Sequence, residues 1–140
     1  MTGCDQDLEW DMDCLLGRDP SEVGYHTWDI IENRLSLDRV CAAMCGVPEA
    51  EGAEGIPIEA FLMKIDLANR ERVAKAIHDS LLYGNFYQEE YPVEYEPGLF
   101  RLVRVGGRLI YDRDGVPLRG IGWMVDVSPE KILGEGITRQ

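Results

Sequence analysis

The chain has 140 residues, 45% of them apolar and 9% aromatic, with a formal charge of −12, which is room for one packed domain and too little for two. That charge repels phosphate backbones, and Arg101, Arg104, Arg108, Arg113 and Arg119 are interleaved with acids and turns, so nucleic acid is excluded as a partner. No apolar run approaches the ~20 residues of a membrane span, and the first residues are acidic where a signal peptide is basic, which excludes a membrane role and points to the cytoplasm.

In chain order, Leu8, Met12, Leu15 and Leu16 fall at helical spacing between acids, and Gly17 follows as a stop. Residues 1–22 therefore read as an amphipathic helix and linker. Residues 23–128 read as the core. Tyr25 to Ile31 alternates, with Trp28 and Ile30 on one face, and a turn at Glu32-Asn33 leads to a second strand, Arg34 to Leu37. Asp38 is placed to cap a helix from Arg39 to Cys45 that Gly46 ends. Acidic, glycine-containing Glu49 to Gly55 reads as an exposed loop, and Ile58 to Ile65 as a short helix. Asn69 is placed to cap the longest helix, Asn69 to Tyr83, with Val73, Ala76, Ile77, Ser80 and Leu81 on its buried stripe and Gly84 past its end. Strands follow over Phe86 to Tyr95, Arg101 to Tyr111 and Leu118 to Val127, broken by Pro97-Gly98 and Asp112 to Gly115. Pro92 cannot donate to a ladder, so the first of these strands belongs at a sheet edge.

Two strands, several helices, then three strands is a segregated pattern, which predicts an α+β fold with an antiparallel sheet covered on one face. The four cysteines, Cys4, Cys14, Cys41 and Cys45, match no zinc spacing and read as free thiols. No nucleophile elbow, phosphate loop, dinucleotide loop or zinc-protease motif occurs, so the chain reads as a non-enzyme.

From Gly24 to Ser128 the sequence resembles the PAS family, in the branch common in bacterial sensor histidine kinases. The residues that carry this are Thr27-Trp28-Asp29, Arg34 to Leu37, Met44 to Val47, Asn69 to Val73, Asp112 to Pro117, Gly120-Ile121-Gly122 and Asp126-Val127-Ser128. The resemblance implies the strand order 2-1-5-4-3. With strand alternation it implies a cavity lined by Trp28, Met44, Phe61, Ile65, Val73, Ile77, Tyr91, Val93, Val103, Val105 and Met124, with Gly120 and Gly122 inward beside them. Such a lining serves a filled core as readily as a pocket for a small apolar ligand.

The resemblance also raises cofactors. A LOV-type flavin site needs an Asn-Cys-Arg stretch that Ile56 to Asp66 lacks. Haem through His78 is disfavoured by helical phase, which turns His78 toward solvent. No cofactor or metal is expected. His26 has inward parity and reads as hydrogen-bonded near the domain edge, Glu89 as a partner of Arg101, and Asp126 as a partner of an arginine such as Arg104.

As function, the resemblance implies a sensory module of bacterial two-component signal transduction, with output through Asp126 and Ser128 to a signalling protein or fused output domain. Leu8, Met12, Leu15 and Leu16 are the expected homodimer interface, and Leu102, Ile110, Ile121, Trp123 and Val125 an outward apolar face. Residues 129–140 read as a tail without heptads. The competing reading is a stand-alone α+β small-molecule-binding protein or enzyme of similar shape.

Overall fold

The computed structural model describes residues 17–84 and 86–128. The expected N-terminal helix with Leu8, Met12, Leu15 and Leu16, the thiols Cys4 and Cys14, and the tail 129–140 lie outside the described residues.

Alternating residues build five strands, β1 (Gly24–Asp29), β2 (Arg34–Leu37), β3 (Tyr87–Glu96), β4 (Leu99–Tyr111) and β5 (Pro117–Asp126). They form one sheet in the order β2-β1-β5-β4-β3, with every pairing antiparallel. The sequence order and the spatial order differ because β1 pairs with both β2 and β5, so the chain leaves the sheet after β2 and returns at the far edge. Pro92 lies on β3, whose one partner is β4, so its missing N–H breaks no inner ladder.

The excursion from β2 to β3 carries four helices, α1 (Arg39–Cys45), α2 (Glu49–Glu54), α3 (Ile58–Leu62) and α4 (Leu67–Tyr83). The Asp38 carboxylate accepts from the Cys41 N–H at 2.8 Å, a cap worth about 1 kcal/mol. Gly46 ends α1 at φ 68°, and a Cβ there would run into the Tyr95 carbonyl, so both conformation and space demand glycine.

Three expectations need correction. Glu49 to Gly55 is not a loop: Glu49–Glu54 is helical, with Glu49 and Glu51 in its first turn and Gly52 buried where a Cβ would stand 3.1 Å from Ala42 and 3.3 Å from Leu37. Its glycine allows close packing on α1 and β2. The third helix stops at Leu62, because residues 63–66 turn to meet β3, where Ile65 bridges Val93 and Asp66 N–H donates to the Pro92 carbonyl at 3.2 Å. The long helix starts at Leu67 with Asp66 at the cap position, and Asn69 instead donates to the Asp66 carboxylate at 2.9 Å. Arg70 then reaches back to the carbonyls of Leu62, Met63 and Ile65, satisfying the end of α3.

The core lies between the helices and the inner sheet face. Tyr91, Ile65, Met124, Val73, Val93 and Val103 are fully buried there, each worth about 1.5–3 kcal/mol of burial. On the outer face Val23, Trp123 and Val125 form a second buried cluster with Val127 against it, while Ile110 and Ile121 stay exposed.

Candidate functional site

Sheet register sets the site. One inward row runs straight across four strands: His26 on β1 faces Gly122 on β5, Gly122 faces Gly107 on β4, and Gly107 faces Tyr87 on β3. The next row places Gly120 between Trp28 and Leu109. Gly107 and Gly120 thus leave part of the floor without side chains, the His26 ring lies over Gly122, and the walls are His26 and Trp28 on one side and Tyr87 and Leu109 on the other. Ile58 and Phe61 of α3 and Ile77 of α4 lie over it, and Tyr91, Val105 and Met124 continue the wall. The result is a cavity of about 80 Å³ with an almost wholly apolar surface.

The expected lining divides in two. Trp28, Phe61, Ile77, Tyr91, Val105 and Met124 line the cavity, whereas Met44, Ile65, Val73, Val93 and Val103 pack into the core beside it without lining it. Val93 and Val103 lie on β3 and β4, Met44 on α1, Ile65 in the turn after α3 and Val73 in the first half of α4. Below Met124, Cys41 and Cys45 bring their sulfurs to 3.9 and 3.7 Å from the thioether. A hydrogen bond with Cys45 and burial push the Cys41 thiol well above its usual range.

The polar groups of the cavity are few. His26 lines it, and its Nδ1 is buried without a hydrogen-bond partner, so the expected bonded histidine at the domain edge is not what stands there. Burial pulls its pKa down to about 4, against a smaller opposing pull from Asp38. The Tyr87 hydroxyl is likewise buried without a partner. The Tyr91 hydroxyl approaches the Tyr87 oxygen as a donor without reaching full hydrogen-bond geometry, and the Tyr87 hydroxyl has no acceptor for its own proton. Burial raises both phenols. Ser80 is already satisfied, donating to the Ile77 carbonyl at 2.8 Å. The outer face carries a groove lined by Tyr25, Thr27, Phe86, Arg108, Ile121 and Trp123 that also takes in His26, Gly107 and Gly122, so His26 borders both spaces.

One expected ion pair is replaced, and the other is made by a different arginine. Glu89 pairs with Arg72 of α4, not Arg101, because the register sets Glu89 opposite Val105, four residues along β4 from Arg101. Asp126 pairs with Arg101 at 3.5 Å, not with Arg104, which bonds Glu90 at 2.6 Å. Asp126 faces Val103, so Arg101 is its same-face neighbour. The Arg101 guanidinium also lies 4.0 Å over the Tyr95 ring. The Asp126 carboxylate accepts from the Ser128 N–H at 2.9 Å, and the Ser128 hydroxyl accepts from the Leu102 N–H at 2.9 Å. The end of β5 is thereby tied to β4 and, through Tyr95, to β3.

His78 is exposed on α4 and does not line the cavity, and no thiol lines it either. Haem ligation through His78 and a LOV-type cysteine adduct therefore do not fit these residues. No group of three His, Cys, Asp or Glu residues suited to a metal occurs among the described residues. No helix among them is long and apolar enough to cross a membrane.

No known family profile matches the sequence, and no curated protein matches it. Solved structures do. A sensory box histidine kinase/response regulator from Burkholderia thailandensis E264 is 22% identical at a TM-score of 0.68, covering 91% of this chain and 89% of its own. The N-terminal domain of a diguanylate cyclase with PAS/PAC sensor from Marinobacter aquaeolei is 16% identical at 0.68, covering 78% and 98%. A light-oxygen-voltage domain solved with a flavin analogue is 11% identical at 0.59, covering 91% and 90%. With the sheet order β2-β1-β5-β4-β3 and the helices gathered between β2 and β3, these likenesses identify the chain as a PAS-fold domain.

Proposed function

We propose that this domain is a non-enzymatic sensory module of a bacterial, cytoplasmic signalling chain, in which occupancy of the cavity changes the end of β5 and so a partner or output domain. One observation carries the reading: β5 supplies Gly120 and Met124 to the cavity and, two residues later, Asp126, whose bonds to Arg101 and Ser128 tie the strand's end down. A shift of β5 at the floor is felt at that tie because a paired strand moves as a unit. The likeness to sensor-kinase and cyclase domains supports an output partner of that kind. A homodimer through Leu8, Met12, Leu15 and Leu16, with the outer-face groove as the neighbouring surface, belongs to the same proposal.

The test is a chimera with residues 23–128 in place of the PAS domain of a sensor histidine kinase. In an active chimera, Arg101→Ala and Gly120→Val should each change autophosphorylation severalfold. Unchanged activity in both variants would refute the module's role in output. For the dimer, sedimentation of the full chain should show a two-chain species that depends on the apolar stripe. Leu8→Glu with Leu15→Glu should yield monomer, and a wild-type monomer at high concentration would refute it.

A further inference from the structure

Resting on the reading of the cavity as a ligand site, we propose that its ligand is a small uncharged molecule with an apolar body and one hydroxyl-like group, held by the Tyr87 hydroxyl and the His26 imidazole. Two polar atoms of the cavity are left over. In a cavity otherwise walled by hydrocarbon and aromatic rings, the Tyr87 hydroxyl and His26 Nδ1 are buried and unbonded. A buried polar atom without a partner destabilises a fold by about 1–3 kcal/mol, so native structures seldom keep one without a reason. Here two occur in one inward row, separated by Gly122 and Gly107. The His26 ring reaches over Gly122 toward Gly107, which borders the cavity together with Tyr87.

Charge is argued out by the surroundings. Three titratable groups of the wall are pushed toward their neutral forms: the imidazole by burial to about 4, and the Tyr87 and Tyr91 phenols upward by burial. Arg108, the cation that borders the cavity, is exposed with its guanidinium 4.3 Å over the Phe86 ring. Asp38, near enough to act on His26, repels an anion. A carboxylate would therefore lose its hydration without gaining a buried counter-charge. Size follows from the volume of about 80 Å³, which admits a molecule of roughly five to eight heavy atoms. A neutral tyrosine hydroxyl both donates and accepts, and a neutral imidazole Nδ1 does one or the other according to its tautomer, so a ligand hydroxyl complements either.

Phenol, benzene and benzoate separate the terms, being alike in ring and different in polar group. Titrated into the ¹⁵N-labelled protein, phenol should move the Gly107, Gly120 and Gly122 amides. Benzene should bind at the same place roughly five- to tenfold more weakly, as the loss of one net hydrogen bond requires, and benzoate should not saturate. Tyr87→Phe should bring phenol down toward benzene while leaving the urea midpoint unchanged or raised, because the variant removes an unbonded hydroxyl. A merely structural hydroxyl would give the reverse, a lowered midpoint with the phenol preference intact. Benzene binding as tightly as phenol, or benzoate binding more tightly, would overturn the proposal while leaving the cavity a ligand site. Absence of binding by all three probes to the folded protein would overturn the ligand-site reading itself.

Discussion

Asn33 makes three side-chain hydrogen bonds beside the cavity, and replacing it tests how the start of α3 is held. It sits at φ 54° in the β1–β2 turn, a conformation that Asn tolerates better than most residues. Its Oδ1 accepts from Trp28 Nε1 at 3.1 Å and from the Ile58 N–H at 3.1 Å, and its Nδ2 donates to Glu59 at 2.8 Å. One side chain thus pins the start of α3, which carries Ile58 and Phe61 over the cavity, to the hairpin and to the indole of Trp28. Removing the acceptor leaves two part-buried N–H groups. Water can partly replace it, so about 1 kcal/mol each is the appropriate scale, or about 2 kcal/mol together. Alanine at a positive φ adds about 1 kcal/mol more.

Asn33→Ala should therefore lose about 3 kcal/mol and Asn33→Gly about 2 kcal/mol, because glycine removes the bonds without the backbone strain. Asn33→Asp keeps the acceptor for Trp28 and Ile58 but sets an oxygen against the Glu59 carboxylate, so it should fall between the glycine variant and the wild type. Urea unfolding followed by tryptophan fluorescence reads this as a midpoint drop of about 1 M for the glycine variant. A glycine variant as stable as the wild type would refute the clamp, since it would show that the turn conformation alone mattered.

Three further outcomes follow from the same structure. His26 has its pKa lowered to about 4 in the fold against 6.5 unfolded, so the unfolded chain binds the extra proton between those values; stability is complete above about pH 6.5 and falls as pH drops toward 4. Part of the residue keeps some exposure, which sets the loss between pH 7 and pH 5 at about 1–2 kcal/mol. Unfolding free energies at the two pH values should show it, and His26→Gln should flatten the difference. Cys41 and Cys45 should resist iodoacetamide in the folded protein and label only on unfolding, as peptide mapping by mass would report, because both are fully buried and burial helps hold Cys41 as a thiol. Gly46→Ala should fall short of the wild type by at least about 2 kcal/mol in urea unfolding, since it combines a positive φ with a collision against the Tyr95 carbonyl.

Strands and turns were legible in the sequence because alternation and glycine, proline and aspartate punctuation are local signals. Pro92 even indicated its edge. The helix Glu49–Glu54 was not legible: Gly52 and a run of acids read locally as a loop, and only its packing on Ala42 and Leu37 explains the glycine. Inward Gly120 and Gly122 followed from alternation, but Gly107 joins them through pairing across three strands, which no local pattern encodes. Which arginine meets Glu89 and which meets Asp126 was not legible for the same reason. Parity puts Arg101 and Glu89 on one face, yet register places them four residues apart and gives Arg101 to Asp126. His26 was legible as inward and not as unbonded, because an absent partner is a property of everything packed around it.

The central claim is that the cavity and the end of β5 are one mechanical unit. It is tested most directly by mapping amide shift changes across the ¹⁵N-labelled domain as phenol is added. Coupling predicts changes at Gly120 and Gly122 accompanied by changes at Leu102, Val127 and Ser128, the latter set lost in Arg101→Ala. Changes confined to the cavity, with the Asp126–Ser128 end unmoved at saturation, would contradict it.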